Sequence, residues 1–206
     1  MVSGQLQSRG IGCPHVLAAI RQVPREEFVD PSSRDSAYAD RALSIDCGQT
    51  ISQPYMVALM TEVLALNGCE KVLEIGTGCG YQTAVLLEMG ATVFSVERHR
   101  ALAQRSSERL QRLGYEQWAI QIADGTVGWP QEAPFDRVLI AAATTVCPDP
   151  LWQQLKEGGI LVAPFGKPGQ QTLCAVRKVD GSGQVRKLCG CRFVPLVAGL
   201  PESKVR

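Results

Sequence analysis

Several features that would direct the interpretation away from a globular enzyme are missing from this 206-residue sequence. No stretch has 18 consecutive apolar residues, the length that suggests a membrane-spanning helix. Lysine plus arginine (21) nearly balance aspartate plus glutamate (20), so the chain has no global positive field for nucleic acid or an anionic membrane. We therefore expect neither a nucleic acid nor a membrane as a partner.

The eight cysteines include no Cys-x-x-Cys pair, and the first residues lack the apolar core of a secretory signal. Because disulfides form mainly in oxidising compartments, we expect reduced thiols and a cytoplasmic location. A zinc site on Cys189, Cys191 and distant ligands is an alternative, but this spacing equally suits two thiols packed on one face of a strand. We predict no metal site.

Apolar, β-branched runs alternate with segments of helical length in the middle of the chain. Continuous runs of this kind are typical of strands buried on both faces of a parallel sheet. The predicted strands are residues 72–75, 92–96, 119–123, 138–142 and 160–164. The predicted helices are residues 81–89, 99–113 and 150–155. This alternation predicts an α/β fold with helices on both faces of a mostly parallel sheet.

The two ends of the chain carry different patterns. Residues 15–22 and 54–66 favour helices, and we interpret residues 1–70 as an N-terminal helical cap over the ligand edge of the sheet. Residues 71–206 would form the cofactor-binding sheet of the same single domain. Two apolar runs, 172–179 and 191–197, are separated by an Asp-Gly-Ser-Gly turn, which predicts a C-terminal antiparallel strand pair.

A strand that runs into a loop with three alternate glycines is the most informative motif. Gly76, Gly78 and Gly80 let the backbone turn sharply and approach a ligand closely. Dinucleotide sites use Gly-x-Gly-x-x-Gly instead, and Tyr81 occupies the position of that last glycine. The spacing favours another nucleotide-type ligand, while a structural turn and a dinucleotide oxidoreductase remain alternatives.

Three acids accompany this loop. Glu97 closes the second predicted strand and Asp124, followed by Gly125, closes the third, so both are expected at the ligand edge of the sheet. Glu97 suits ribose hydroxyls, and Asp124 suits an adenine amino group. Glu74 lies within the strand before the loop, where a carboxylate needs a cationic or hydrogen-bonded partner. A methionine ammonium would meet that need, which favours S-adenosyl-L-methionine as the cofactor.

Residues 48–58, Gly-Gln-Thr-Ile-Ser-Gln-Pro-Tyr-Met-Val-Ala, resemble the signature of the protein-L-isoaspartate O-methyltransferase family. The resemblance continues through residues 23–29, 73–84, 155–159 and 192–196. It implies the seven-stranded, Rossmann-like fold of S-adenosylmethionine-dependent methyltransferases. It also implies methylation of the α-carboxylate of L-isoaspartyl residues in damaged proteins and peptides, which starts their repair through a succinimide.

Carried over by position, the resemblance implies a catalytic role for Ser52, whose hydroxyl could donate to the substrate carboxylate. Ser52 could instead cap a helix that begins near Pro54. The implied cofactor positions, with the other two glycines of the loop, are Thr50, Ile51, Glu74, Gly76, Gly78, Gly80, Glu97, Asp124 and Gly125. A methyltransferase of the same fold acting on a small-molecule carboxylate and a noncatalytic ligand sensor remain alternatives, and we expect a monomer.

The sequence departs from the family pattern at a few positions. Cys79 stands where the glycine loop usually has serine, which is compatible with a loop that acts through its backbone. Arg41-Ala42 and Thr144-Thr145 replace other residue pairs, and we expect both near the substrate cleft. These two changes would therefore alter substrate preference more than cofactor binding. The arginine-rich stretch 98–112 is interpreted as a solvated helix face.

Overall fold

The chain folds around a seven-stranded β-sheet, and the computed structural model describes residues 1–201. In chain order the strands are β1 (Leu43–Ser44), β2 (Thr50–Ile51), β3 (Lys71–Ile75), β4 (Thr92–Glu97), β5 (Trp118–Ile122), β6 (Phe135–Ile140), β7 (Leu155–Lys167), β8 (Gln170–Val179) and β9 (Ser182–Cys191). The sheet has the order β5-β4-β3-β6-β7-β8-β9, with parallel pairing from β5 to β7 and antiparallel pairing from β7 to β9. Strands β1 and β2 form a separate antiparallel hairpin.

Five α-helices accompany the strands in the described part of the chain. They are α1 (Pro14–Gln22), α2 (Pro54–Leu64), α3 (Tyr81–Glu88), α4 (Arg100–Arg112) and α5 (Asp149–Gln154). Short helical turns lie at Val2–Leu6, Gln7–Arg9, Arg25–Phe28, Pro31–Ser36, Asp46–Gly48 and Pro130–Glu132. Proline stands in the first turn of α1, α2 and α5, where its missing amide hydrogen removes no helical bond. Within residues 1–201, no helix combines the length and the apolar character that crossing a membrane requires.

Two hydrophobic clusters lie on opposite faces of the sheet. Val72 of β3 packs in the cluster that contains side chains of α1, α2 and α3, whereas the adjacent Leu73 packs in the cluster that contains Leu151 of α5. Neighbouring strand residues point to opposite faces, so a strand covered on both faces must be apolar at nearly every position. The continuous apolar runs of the sequence have this physical cause.

The carboxyl ends of β3, β4 and β6 form the edge of the sheet that matters for function. After β3 the chain proceeds outwards through β4 to β5, and it then returns to place β6 on the other side of β3. Loops that follow β3 and β6 diverge at such a reversal, and the crevice between them is where doubly wound sheets bind ligands. The topology therefore places a candidate site here.

The structure confirms the predicted α/β class, the mostly parallel sheet and an antiparallel C-terminal end. The prediction that residues 191–197 form the last strand is wrong, because β9 begins at Ser182, directly after the turn at Asp180 and Gly181. Strand β9 is an edge strand, and most of its first half is polar and exposed. Edge strands of this composition resist unwanted pairing, but they lack the apolar run by which strands are recognised.

Helix α4 is more than a solvated basic face. Arg105 forms an ion pair with Asp46 in the turn between β1 and β2, and Arg109 donates a 2.7 Å hydrogen bond to the carbonyl oxygen of Cys79. Arg109 also lies over the ring of Phe28, with its guanidinium carbon 5.6 Å from the ring centre. These contacts connect the N-terminal segment and the glycine loop to the helical layer.

Candidate functional site

A cleft with a volume of about 260 Å³ opens at the carboxyl edge of the sheet. Ile75 at the end of β3, Val96 in β4 and Ala141 after β6 line it. Residues 48–52 and 193–197 complete its walls. Segments that lie far apart in the sequence therefore meet here, in a mostly apolar recess with a few polar groups, as is typical of small-molecule sites.

The glycine loop contributes Gly76 and Gly78 to the cleft. Gly76 has φ +94°, a left-handed backbone conformation that is strained for residues with a side chain. Gly80 is not part of the cleft lining. It precedes α3, and a Cβ atom at Gly80 would lie 3.3 Å from the Cβ atom of Ser106 in α4. The third glycine of the motif therefore permits close packing of the loop against α4.

Glu97, at the end of β4, fastens two loops of the cleft. Its side chain lines the cleft although the residue is only 4% exposed. Oε2 accepts the amide of Gly78 at 2.9 Å, and Oε1 accepts the amide of His99 at 2.9 Å. Each carboxylate oxygen retains a further lone pair. Glu97 can therefore accept hydrogen bonds from a ligand's hydroxyl groups while it holds the glycine loop.

Glu74 is fully buried and is not itself part of the cleft lining. Its Oε2 accepts hydrogen bonds from Thr83 Oγ1 at 2.6 Å and Ser95 Oγ at 2.7 Å. Oε1 has no hydrogen-bond partner among residues 1–201. Burial raises the pKa of Glu74 to about 7, although the two hydroxyl donors lower it. This buried carboxylate with an unused acceptor fits the need for a cationic partner such as an ammonium group.

Asp124 is engaged by the protein itself. Oδ1 accepts both the amide and the hydroxyl of Thr126, and Oδ2 accepts the amide of Gly199 at 2.7 Å. Burial raises the pKa of Asp124, but these hydrogen bonds outweigh it and hold the pKa below its usual value. Asp124 is not part of the cleft lining, whereas Gly125 is. A Cβ atom at Gly125 would lie 2.6 Å from Cγ2 of Ile75, so the close approach of these two segments requires glycine.

Thr50, Ile51 and Ser52 line the cleft from the hairpin side, as expected for the predicted site. The alternative interpretation of Ser52 as a helix cap is wrong, because Gln53 is the N-cap residue of α2 and no side chain caps this helix. In the described part of the chain, no hydrogen bond involves the Ser52 hydroxyl. The hydroxyl is therefore available to a ligand.

The segment after β9 belongs to the site, although the sequence analysis predicted a strand at residues 191–197. The amides of Ala143 and Leu196 form 2.7 Å hydrogen bonds with the carbonyl oxygens of Val194 and Ala143, respectively. The side chain of Gln171 also bonds both the amide and the carbonyl of Phe193. These bonds hold residues 193–197 along the cleft. The family motif at residues 192–196 was the available signal, since an apolar run alone does not distinguish a strand from a fixed loop.

Gln49 and His99 also line the cleft, and their Nε2 atoms lie 3.5 Å apart. The sequence offered no role for either side chain. Arg41 and Thr144, which were expected near the substrate cleft, do not line it. Among residues 1–201, no cluster of three or more histidine, cysteine or acidic side chains could hold a metal ion.

The arrangement identifies a class of enzyme. A glycine loop follows the central strand, an acid ends the next strand, and the cleft lies at the reversal point of a seven-stranded sheet with an antiparallel end. These features together define an S-adenosylmethionine-dependent methyltransferase. A family model described as "Protein-L-isoaspartate(D-aspartate) O-methyltransferase" matches residues 1–200. The chain belongs to this family.

Relatives and solved structures agree with this membership. Protein-L-isoaspartate O-methyltransferase 1 of Syntrophobacter fumaroxidans is 52% identical over 197 residues, covering 96% of this chain and 92% of the relative. Protein-L-isoaspartate O-methyltransferase 2 of Pelobacter propionicus is 52% identical over 200 residues, covering 96% of this chain and 88% of the relative. A solved protein-L-isoaspartate O-methyltransferase superposes with a TM-score of 0.85 at 30% identity, covering 97% of this chain and 66% of the other.

A second solved structure is described as a protein of this family from Plasmodium falciparum in complex with S-adenosyl-L-homocysteine. It has a TM-score of 0.80 and 25% identity, and the match covers 95% of this chain and 96% of the other. S-adenosyl-L-homocysteine is what remains of S-adenosylmethionine after methyl transfer. The cofactor of the present protein is S-adenosyl-L-methionine.

Proposed function

We propose that this protein transfers a methyl group from S-adenosyl-L-methionine to the α-carboxylate of L-isoaspartyl residues in damaged proteins and peptides, which begins their repair through a succinimide. The observation that carries the proposal is the meeting of two segments in one cleft. The glycine loop of a methyltransferase lies beside residues 48–52, the stretch that resembles the isoaspartate family most specifically. Family membership at about 50% identity supports the same activity.

The reaction places few demands on the side chains of the protein. A carboxylate acceptor is already ionised at neutral pH, so no strong general base has to remove a proton. When bound, S-adenosylmethionine supplies a methyl group that is activated by its positively charged sulfur. The task of the chain is to hold the acceptor in line with that methyl group at near-attack distance and to exclude water. The mostly apolar cleft suits this task.

We assign the catalytic role to Ser52, whose free hydroxyl can donate a hydrogen bond to one carboxylate oxygen of the acceptor. Residues that line the cleft would contact the cofactor directly, whereas Glu74, Gly80 and Asp124 would act from just outside the lining. The proposed cofactor set is Thr50, Ile51, Glu74, Gly76, Gly78, Gly80, Glu97, Asp124 and Gly125. The unused oxygen of Glu74 supports a cationic ligand group nearby.

We also propose that the chain works as a single methyltransferase domain and as a monomer. In it, residues 1–70 supply the substrate side together with the cofactor residues Thr50 and Ile51, and residues 71–206 supply the rest of the cofactor side. A cytoplasmic location suits the eight free cysteines. The nearly balanced charge gives no reason to invoke nucleic acid or a membrane surface as a partner. Light scattering coupled to size-exclusion chromatography measures the mass of the particle and tests the monomer.

The decisive experiment compares an isoaspartyl peptide with its normal aspartyl counterpart, each incubated with the protein and S-adenosylmethionine. We expect methanol release from the isoaspartyl peptide alone. Release from neither peptide, together with a thermal shift on adding S-adenosylmethionine, would instead support methylation of a small-molecule carboxylate. No thermal shift at saturating cofactor would contradict the cofactor assignment.

A further inference from the structure

The guanidinium of Arg25 connects the catalytic segment to the rest of the cleft. Arg25 is 0% exposed. Its Nη2 donates a 2.6 Å hydrogen bond to the carbonyl oxygen of Ser52, and its Nε donates a 2.7 Å hydrogen bond to the carbonyl oxygen of Ala37. Its guanidinium carbon lies 4.6 Å from the ring centre of Tyr81, the first residue of α3 and part of the cleft lining. One side chain therefore joins three separate segments beside the site.

This cation is buried without an acidic partner. The ion pairs of residues 1–201 do not include Arg25. Burial lowers the pKa of Arg25, and the neighbouring Tyr81 and Cys79 only partly oppose this effect. Burying a charge is costly unless hydrogen bonds and neighbouring groups compensate it, and an apolar side chain could fill the space at lower cost. Packing alone therefore does not explain why a guanidinium occupies this position.

The backbone around Ser52 indicates the role of the Arg25 guanidinium. Ser52 lies between β2 and α2, outside both elements, and α2 has no side-chain cap to fix its start. The carbonyl oxygens of Ser52 and Ala37 are reached by different nitrogens of one planar group. A lysine ammonium, a point donor on a flexible stem, lacks this fixed fork. The fork links Ser52 to Ala37, and the contact of the guanidinium with the Tyr81 ring links both to α3.

We propose that Arg25 is a positioning residue for methyl transfer, which fixes the backbone of Ser52 so that its hydroxyl meets the acceptor carboxylate. The proposal rests on the proposed function, because it assigns a role with respect to Ser52 in that reaction. It does not place Arg25 in contact with the substrate or the cofactor. The geometry of the catalytic segment, rather than cofactor affinity, is the property that Arg25 controls.

The test uses Arg25→Lys, which keeps the charge and loses the fork, and Arg25→Met, which loses both. We expect kcat on an isoaspartyl peptide to fall on the order of 10-fold to 100-fold, since small displacements of reacting groups have effects of this size. The Kd for S-adenosylmethionine, measured by isothermal titration calorimetry, is expected to rise by much less than kcat falls, because Thr50 and Ile51 of the proposed cofactor set are also held by pairing with β1. Hydrogen exchange is expected to accelerate in residues 50–53.

Arg137→Lys is the matched control. Arg137 is also largely buried, and it donates from Nε to the carbonyl oxygen of Leu64 at 2.5 Å and from Nη2 to that of Ala65 at 3.0 Å. It lies in the first half of β6 and does not line the cleft. Its replacement should lower the thermal midpoint while kcat is unchanged. This control separates the general effect of losing hydrogen bonds from an arginine to backbone carbonyls from the specific effect of losing the bond to Ser52.

Three results would overturn the positioning role. One is an unchanged kcat per cofactor-binding molecule in Arg25→Lys. Another is a fall in cofactor affinity as large as the fall in kcat. The third is failure of both Arg25 variants to fold while Arg137→Lys folds, because Arg25 would then serve the fold. If the wild-type protein does not methylate the peptide, the proposed function fails, and hydrogen exchange at residues 50–53 still decides whether Arg25 holds this segment.

Discussion

The amide of Gly199 donates a 2.7 Å hydrogen bond to Oδ2 of Asp124, which joins the segment after β9 to the end of β5. The same segment is fixed at a second point by the bonds between Ala143 and residues 194–196. The part of the cleft wall formed by residues 193–197 lies between the anchors at Gln171 and Asp124. The carboxylate of Asp124 therefore shapes the cleft from outside its lining.

Asp124→Ala should lower the free energy of unfolding by about 1–3 kcal/mol, the range for loss of hydrogen bonds to a charged group. Because the wall would loosen, the KM for the isoaspartyl peptide should rise as well. Urea unfolding and steady-state kinetics measure the two effects. Thr126→Val is the control, since it removes one bond to Oδ1 and leaves the Gly199 bond in place. A rise confined to the KM for S-adenosylmethionine would make Asp124 a cofactor contact only.

The contribution of Asp124 to the stability of the fold should depend on pH, because the pKa of its carboxyl is lowered in the folded protein. Because the folded protein holds this carboxyl ionised below its unfolded pKa of about 3.9, its contribution to stability is present above that pH and is lost as the pH falls through the lower folded pKa. The difference between wild type and Asp124→Ala in urea unfolding should therefore shrink below about pH 4. A constant difference down to pH 2 would contradict this contribution.

Glu74→Gln should stabilise the ligand-free protein at high pH. Its folded pKa of about 7 lies above the unfolded value of about 4.3, so the wild type loses stability as the pH rises between these values and stays destabilised above them. Relative to the wild type, the free energy of unfolding of the variant should be higher by up to about 3 kcal/mol at pH 8 and almost the same at pH 4. Urea unfolding at both pH values checks this, and parallel behaviour of the two proteins would refute it. If Glu74 is the proposed partner of the cofactor ammonium, the Kd for S-adenosylmethionine should also rise in the variant, because this carboxylate just outside the cleft lining is removed.

Ser52→Ala should reduce kcat on the isoaspartyl peptide on the order of 10-fold to 100-fold, as expected for loss of one preorganised hydrogen-bond donor. The Kd for S-adenosylmethionine should be nearly unchanged, since the hydroxyl is assigned to the acceptor. Ser107→Ala is the control, because its hydroxyl bonds within α4 to the carbonyl oxygen of Ala103. Equal turnover of Ser52→Ala and wild type would remove Ser52 from the mechanism.

Glu97→Gln should weaken S-adenosylmethionine binding by at least about tenfold, equivalent to about 1.4 kcal/mol. Glu97 accepts the Gly78 and His99 amides on two different oxygens, and glutamine replaces one of these oxygens with an NH2 group, which would face an amide donor instead of accepting from it. The glycine loop would lose one of its fixed positions. Isothermal titration calorimetry measures the affinity, and an unchanged Kd would show that neither amide bond supports the cofactor site.

Gly125→Ala should destabilise the fold by about 1–3 kcal/mol, the usual range for overpacking. The added methyl group would lie 2.6 Å from Cγ2 of Ile75, and displacement of Ile75 would also disturb the cleft. Gly190→Ala is the matched control, because no atom lies within 4 Å of the added methyl group. If both variants unfold at the same urea concentration, the packing of Gly125 against Ile75 leaves room for a methyl group, and the prediction is wrong.

The core of the fold could be predicted because buried parallel strands leave a direct trace in the sequence. Residues 138–142 are apolar at every position and residues 72–75 at every position except Glu74, and the structure buries β3 and β6 on both faces. The edge strand β9 leaves no such trace, because its contacts are backbone hydrogen bonds to β8 and many of its side chains face water. Local patterns therefore identified the centre of the sheet and misplaced its edge.

The site could be predicted only in part. Gly76 and Gly78 are recognisable because they lie in the loop after β3, and Glu97 because it ends β4, and the structure brings all three to one cleft. The partner of Asp124 could not be foreseen, since Gly199 is 75 residues away and supplies a backbone amide that any residue type could offer. The link from Arg25 to Ser52 is hidden for the same reason, because it ends on a carbonyl oxygen.

The walls formed by residues 48–52 and 193–197 mean that the cleft is assembled from segments that lie far apart in the sequence, one of them near the end of the described residues. During synthesis the helices and central strands can begin to fold as they emerge, because chains are made from the N-terminus at a limited rate. The wall at residues 193–197 cannot form until that stretch has left the ribosome. A growing chain can therefore fold its central strands before it can bind cofactor and acceptor together, because the cleft is complete only after residues 193–197 have emerged.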